Sequence, residues 1–361
     1  MANVPSAEQE PVFPYRLSRV GVLMTRDAGN PDEAEGVLNP GSGRDPAGTL
    51  FLLPRLVAAG NVSRIGLAEV LVTAGVPTGV RRHGVVLAAD RTWERGVGHG
   101  GVEDPRITFV PALGVHVMTY VAYGPLGPRT AVATSTDLRH WTRHGPVRYG
   151  YDDSQDVDLN LYPNKDTSFF PEPVLAPDGA PSLAVLHRPT WDLDEVAPGQ
   201  GDRPPPGLPD GRGSIWISFV PLTEVQSDLS ALAHWRQHRF VAGPEHPYEA
   251  LKIGGGPPPR RVPEGWLLLH HGVTGVLLRA FAQQKHVHYA TGGLILDADR
   301  PWLVVTRSRT PLLEAETEEE RSGTVPNVVF PTAIEEVAGV PYVFYGMADS
   351  AIGVARLDRV G

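Results

Sequence analysis

Forty glycines and 36 prolines are spread along the whole 361-residue chain, and the apolar residues fall between them in short runs. Proline lacks an amide donor and fixes φ, while glycine adds backbone entropy, so a chain punctuated this way has no room for long helices. The runs that remain are of strand length and rich in β-branched and aromatic residues. Candidate strands cover 19–24, 49–57, 84–88, 106–110, 114–123, 129–135, 182–186, 214–220, 265–271, 292–296 and 341–346. The expected fold class is all-β.

Hydrophobic content of 41% and charged content of 20% are those of a globular protein with a core. A formal net charge of −9 without a long Lys/Arg cluster argues against a binder of nucleic acid, which concentrates positive charge on one face. The absence of cysteine excludes disulfides, thiolate metal sites and a cysteine nucleophile. Residues 1–19 lack the charged head and apolar stretch of a secretory signal, and no run approaches the roughly 20 apolar residues of a membrane span. A cytoplasmic protein with no membrane partner is expected.

A degenerate repeat suggests radial architecture. The segment from Thr134 through Asp137 to Trp141 has echoes from Ser227 and Asp228 to Trp235, and from Asp297 to Trp302. Each places an Asp turn after a strand and then a Trp. Such periodicity fits propeller blades, and a β-sandwich with similar turns is the alternative. Residues 198–213, dense in Pro and Gly, should form an irregular exposed loop, and the acidic stretch 314–320 a solvated face or short helix.

Three motifs invite chemistry. The glycines from Gly96 to Gly101 satisfy GxGxxG, but Pro105 follows where a dinucleotide site needs a helix. His270 and His271, and His286 and His288, lack a third ligand at a characteristic spacing, so no metal is expected. The segment from Gly101 to Thr108 is the most informative, because Glu103, Asp104 and Arg106 crowd a strand entrance beside a Gly-rich turn. In an extended chain Glu103 and Asp104 point to opposite faces, so only one should reach a pocket. The bland alternative is a turn in which Arg106 merely pairs with a carboxylate.

With other blocks, this segment resembles glycoside hydrolase family 130, the β-mannoside phosphorylases and related mannosidases. The resemblance runs nearly end to end. It includes Gly36-Val37-Leu38-Asn39-Pro40, Leu53-Pro54-Arg55, Glu103-Asp104-Pro105-Arg106, Asn164-Lys165-Asp166 with Phe170-Pro171-Glu172, and His187-Arg188. It continues through Lys252 to Pro258, His271-Gly272, Val325 to Pro331, and Tyr345-Gly346-Met347-Ala348-Asp349.

The resemblance implies a five-bladed β-propeller, read here as an N-terminal arm over 1–18 and one catalytic domain over 19–361. It makes Asp104 the general acid, its proton reaching the glycosidic oxygen through a sugar hydroxyl. It places Asn39, Arg55 and Asp349 around the mannosyl ring, with Arg106, Asp166, His187, Arg188 and His271 as further substrate-binding residues. Arg129, Arg143 and Lys165 lie in the blocks where the family's phosphorylases carry phosphate-binding cations. For Arg143, an ion pair with Asp137 is the alternative.

An inverting hydrolase needs two carboxyls, whereas a phosphorylase needs one, because phosphate is already an anionic nucleophile. With the three cations retained, the resemblance therefore implies inverting phosphorolysis of a β-mannoside to α-mannose 1-phosphate. Inorganic phosphate is the co-substrate, with no other cofactor, and a homo-oligomer built through chain-end contacts is among the expectations. An inverting β-mannosidase and a non-catalytic glycan-binding propeller are the alternatives.

Overall fold

The computed structural model describes residues 13–96, 100–153, 155–193, 198–208, 211–276 and 286–360. The chain opens with β1 (Tyr15–Thr25), which pairs antiparallel with the last strand, β23 (Ala351–Arg359), from Tyr15 opposite Arg359 to Thr25 opposite Ala351. With β21 (Val329–Val337) and β22 (Val340–Met347) these form one four-stranded sheet. Strand pairing therefore begins inside the segment expected as an arm, and Phe13 is buried against Tyr15, Leu267 and Ile295. Residues 1–12 lie outside the described residues.

The largest sheet has eight strands. Its first half is β2 (Gly36–Arg44), β3 (Leu50–Ala58), β4 (Val62–Thr73) and β5 (Val76–Leu87). Its second half is β6 (Gly100–Val110), β7 (Val115–Gly124), β8 (Gly127–Ser135) and β9 (Thr142–Pro146). Each half is antiparallel, and a short parallel contact joins them, Val62 opposite Gly100 and Ser63 opposite Gly101. Gly101 is required there: at φ +124° a Cβ would lie 2.3 Å from the Ser63 carbonyl oxygen.

A third sheet orders β10 (Arg148–Tyr149), β15 (His234–Ala242), β14 (Ile215–Pro221), β13 (Pro181–Pro189) and β11 (Asn164–Phe169), with β12 (Val174–Leu175) on β13. The fourth joins β16 (Lys252–Gly255), β18 (Gly265–Gly275), β19 (Val287–Leu296) and β20 (Val304–Arg307), with β17 (Arg260–Val262) on β18. Every strand anticipated from the sequence lies in one of these. Two short α-helices, Leu222–Ser227 and Glu318–Arg321, occur among the described residues, and no helix there is long and apolar enough to cross a membrane.

The repeated Asp turn is a corner device. The Oδ1 atoms of Asp137, Asp228 and Asp297 accept backbone N–H groups two or three residues onward. Trp141 and Trp235 then donate Nε1 to the carbonyls of Leu138 and Leu232. A second repeat was not visible in the sequence. Glu33, Glu94, Glu249 and Glu320 are each the third residue of a short helical turn, are buried, and pair with Arg82, Arg143, Arg307 and Arg19. In the last three, one carboxylate oxygen accepts two backbone N–H groups. The other accepts Tyr120 OH, His270 Nε2 or Tyr345 OH. A buried carboxylate needs this full set of partners. The acidic stretch 314–320 thus contributes a buried residue, Glu320, as well as a short helix.

Candidate active site

Strands β2, β6, β11, β16 and β21 come together. β2 packs on β6 and β21, and β11 packs on β6 and β16. Three of these strands carry one non-glycine residue in the left-handed region, Asn39 at φ +43°, Asp104 at +46° and Asp166 at +54°. At each the register slips, between Leu38 and Gly41, between Glu103 and Arg106, and between Lys165 and Ser168. Short polar side chains tolerate this conformation better than others, and a bulge re-aims the side chain it carries. Proline follows Asn39 and Asp104, which suits a position without a ladder hydrogen bond. Asp349, at φ +51°, lies in the turn between β22 and β23.

The bulge in β6 overturns the expectation that Glu103 and Asp104 diverge. Arg55 donates Nη2 to Glu103 Oε1 at 2.9 Å and Nη1 to Asp104 Oδ1 at 3.2 Å, and its Nε reaches Ser63 Oγ at 2.8 Å. Asn39 Nδ2 donates to the same Asp104 oxygen at 2.9 Å. Burial pushes the Asp104 carboxyl up, but Arg55, Arg106, the Asn39 hydrogen bond and Lys165 outweigh it and hold the group below its ordinary value. Asp349 behaves oppositely. Burial raises it to about 6 against the pull of Arg55, with the charges of Asp104 and Glu103 adding to the rise.

A second polar group adjoins the first. Asp166 Oδ2 accepts Arg188 Nε at 2.5 Å, and His271 Nε2 lies 3.6 Å away. Burial raises the Asp166 carboxyl, and Arg188, His271 and Arg106 together bring it below its ordinary value. Burial pushes His271 down to about 3, so it is neutral, with its ring 4.5 Å from Phe330 and 5.6 Å from Tyr289. Arg106 is enclosed: Nε donates to Gly256 O at 2.8 Å, Nη1 to Asp104 O at 3.2 Å, and the guanidinium sits 5.2 Å from the Phe330 ring centre. Its Nη2 is buried without a protein partner.

Asn39, Arg55, Asp104, Arg106, Lys165, Asp166, Arg188, His271 and Asp349 are thus linked by contact or mutual charge. Three other expected site residues lie elsewhere. Arg143 is engaged by Glu94 Oε1 at 2.8 Å, the Ala88 carbonyl and Asp90, so the alternative partner Asp137 does not describe it. Arg129 donates Nη1 to the Tyr162 carbonyl and lines a separate cleft. His187 is fully buried, with Asn164 Nδ2 at its Nδ1 and Ser218 Oγ at its Nε2, so a direct sugar contact is replaced by an internal one.

The Lys165 ammonium, by contrast, makes no hydrogen bond or ion pair among the described residues. Its Nζ lies 5.6 Å from the Tyr123 ring centre, and its charge reaches Asp104 and Asp349. Sequence reasoning noted Glu103 without giving it a site role, and missed Tyr289 and Phe330. Tyr289 feels the charges of Asp349, Arg188, Asp166 and Asp104, and its phenol is raised by burial first. No group of three His, Asp or Glu side chains that could hold a metal ion occurs among the described residues. Of the glycine motif, 97–99 lie outside the described residues, while Gly100 and Gly101 open β6.

The sequence model of a family described as beta-1,4-mannooligosaccharide phosphorylase matches residues 223–360. A 1,2-beta-oligomannan phosphorylase of Thermoanaerobacter sp. (strain X514) is 32% identical over 262 residues, 72% of this chain and 68% of that protein. The structure of beta-1,2-mannobiose phosphorylase from Listeria innocua with beta-1,2-mannobiose has the same fold, with a TM-score of 0.65 at 20% identity over 90% of each chain. Also alike, with a TM-score of 0.67 at 22% identity over 96% of each chain, is a structure from work describing GH130 glycoside hydrolases that target beta-1,2 mannosidic linkages in Candida mannan.

Proposed function

Because this chain belongs to glycoside hydrolase family 130, the family of mannoside phosphorylases, we propose that it cleaves a β-linked mannoside with inorganic phosphate and inverts the anomeric carbon to give α-mannose 1-phosphate. The observation that carries this reading is the setting of Asp104, one carboxyl held by Asn39 and Arg55 within reach of the charges of Arg106 and Lys165. The five-bladed propeller is part of the proposal. It follows if the eight-stranded sheet counts as two blades, β2–β5 and β6–β9, beside β10–β15, β16–β20, and β21–β23 with β1.

In this mechanism a phosphate oxygen attacks C1, the bond from C1 to the leaving oxygen breaks, and the Asp104 proton ends on that oxygen. Lys165, the unpaired Nη2 of Arg106 and the nearby Arg188 are the cations suited to place phosphate. Arg143 drops out of that set because Glu94 already holds it. Without ligand, Asp104 is held ionised, the wrong state for an acid. A phosphate anion against Lys165 and Arg106 cancels the charges that depress the carboxyl, so the co-substrate itself favours the protonated acid.

One observation favours hydrolysis instead: Asp349, raised to about 6, has the affinity of a general base. The two readings separate on product. Incubation with β-1,2-mannobiose, the linkage named for the relatives, should give mannose 1-phosphate only when phosphate is added. Free mannose formed at the same rate without phosphate would replace this proposal with the hydrolase.

A further inference from the structure

A cleft of about 430 Å³ opens between the β7–β8 hairpin and the segment 147–164. Trp93, Leu126, Arg129, Tyr149, Tyr162 and Asn164 line it. It adjoins the catalytic centre through Asn164, two residues before Asp166 on β11, and through Lys165, which rests on Tyr123 beside the hairpin. Asn164 is 1% exposed, and its Oδ1 is buried without a protein partner.

A chain of four hydrogen bonds fixes which way that amide faces. His238 Nε2 lies 2.8 Å from the Gly150 carbonyl oxygen, which can only accept, so Nε2 carries the proton. Burial lowers His238, leaving the ring neutral and Nδ1 an acceptor, 2.7 Å from Ser218 Oγ. The Ser218 proton is committed to His238, so Ser218 must accept from His187 Nε2, also at 2.7 Å. His187, lowered well below its ordinary value by burial first and then by His238, is neutral too, and its Nδ1 must accept. Only the NH₂ of Asn164 satisfies it, at 3.0 Å. The Gly150 carbonyl therefore sets the polarity of the whole chain and leaves Asn164 Oδ1 as an unused acceptor.

We propose that the cleft beside Asn164 is the subsite for the leaving sugar, and that Asn164 Oδ1, oriented by His187, Ser218 and His238, accepts a hydroxyl of that sugar. Arg129 supplies donors in the same cleft, and Trp93 and Tyr162 supply the apolar faces against which a pyranose ring packs. The reassignment gives Arg129 a carbohydrate in place of phosphate. Asn164 is the binding residue, and Ser218, His187 and His238 are positioning residues. The sugar's identity rests on the mannoside-cleaving reading; the polarity of the chain does not.

The test compares disaccharide with monosaccharide in the Asp104→Asn background, which stops turnover. Calorimetric titration with β-1,2-mannobiose should show about tenfold weaker binding when Asn164→Ala is added, and mannose binding should be unchanged. Ser218→Ala, which removes only an internal hydroxyl, should weaken the disaccharide selectively as well. Nitrogen-15 NMR should find His187 and His238 protonated at Nε2 in the parent and should report loss of that pattern at His187 in Ser218→Ala. Unchanged mannobiose affinity in Asn164→Ala, or equal weakening of both sugars, would overturn the subsite. Failure of either sugar to bind the Asp104→Asn parent would instead overturn the mannoside reading, and with it the ligand assigned to this cleft.

Discussion

Arg55 holds Asp104 by one terminal nitrogen, at 3.2 Å, while the other terminal nitrogen holds Glu103 at 2.9 Å. Neighbours in a regular strand diverge, so this double grip exists only because Asp104 adopts φ +46°. Its chemical effect is to divide the charge of Arg55 between two carboxylates. Glu103→Gln should leave all of Arg55 to Asp104, stabilise its ionised form and starve the reaction of acid. The alkaline limb of the kcat profile should then move to lower pH by roughly one unit. An unmoved limb would mean that Glu103 does not act on the acid.

Lys165 and Arg143 should behave oppositely. Lys165→Ala removes a cation that no described carboxylate pairs, so KM for phosphate should rise about tenfold or more while the melting temperature holds. Arg143→Ala strips Glu94 of its buried partner and should cost about 3–5 kcal/mol of stability. Phosphate KM should change little in the protein that remains folded. Steady-state kinetics with thermal melts on both variants checks the contrast.

Asp349 gives a stability change of definite sign. Its folded value of about 6 lies above the unfolded value of about 3.9. Its contribution to folding is therefore complete below the unfolded value and is lost as pH rises through 6. Asp349→Asn should match the wild type near pH 4 and be more stable by on the order of 2 kcal/mol at pH 8. It should also bind mannose poorly, as expected when a polar site is strained for function. Chemical denaturation at the two pH values measures it.

Gly346→Ala probes the support behind Asn39. A Cβ at 346 would stand 2.2 Å from Asn39 Oδ1. The displaced amide could no longer hold Asp104, and kcat should fall about 100-fold with little change in secondary structure by circular dichroism. Activity near the wild-type level would show that the Asn39 contact is dispensable.

The strands were readable because short apolar, β-branched runs such as 114–123 and 129–135, bounded by Gly and Pro, are a local signal. The bulges were not, since a slip of register depends on the neighbouring strand. Asn39-Pro40 and Asp104-Pro105 carried a partial signal, a short polar residue before a residue without a donor. The protein partners of Arg143 and Arg129 were hidden for a different reason. An arginine looks the same in sequence whether it faces a ligand or a buried Glu94, and Glu94 lies 49 residues from its partner. His187 was recognised as important, but its partners Ser218 and His238 come from strands 31 and 51 residues away, beyond any local motif.

Real-time ³¹P NMR of the wild-type protein with β-1,2-mannobiose and inorganic phosphate tests the central claim most directly. Phosphorolysis with Asp104 as acid predicts that the phosphate resonance declines as that of α-mannose 1-phosphate grows, and that Asp104→Asn slows both by about 100-fold or more. A constant phosphate signal while free mannose accumulates in the proton spectrum would contradict it.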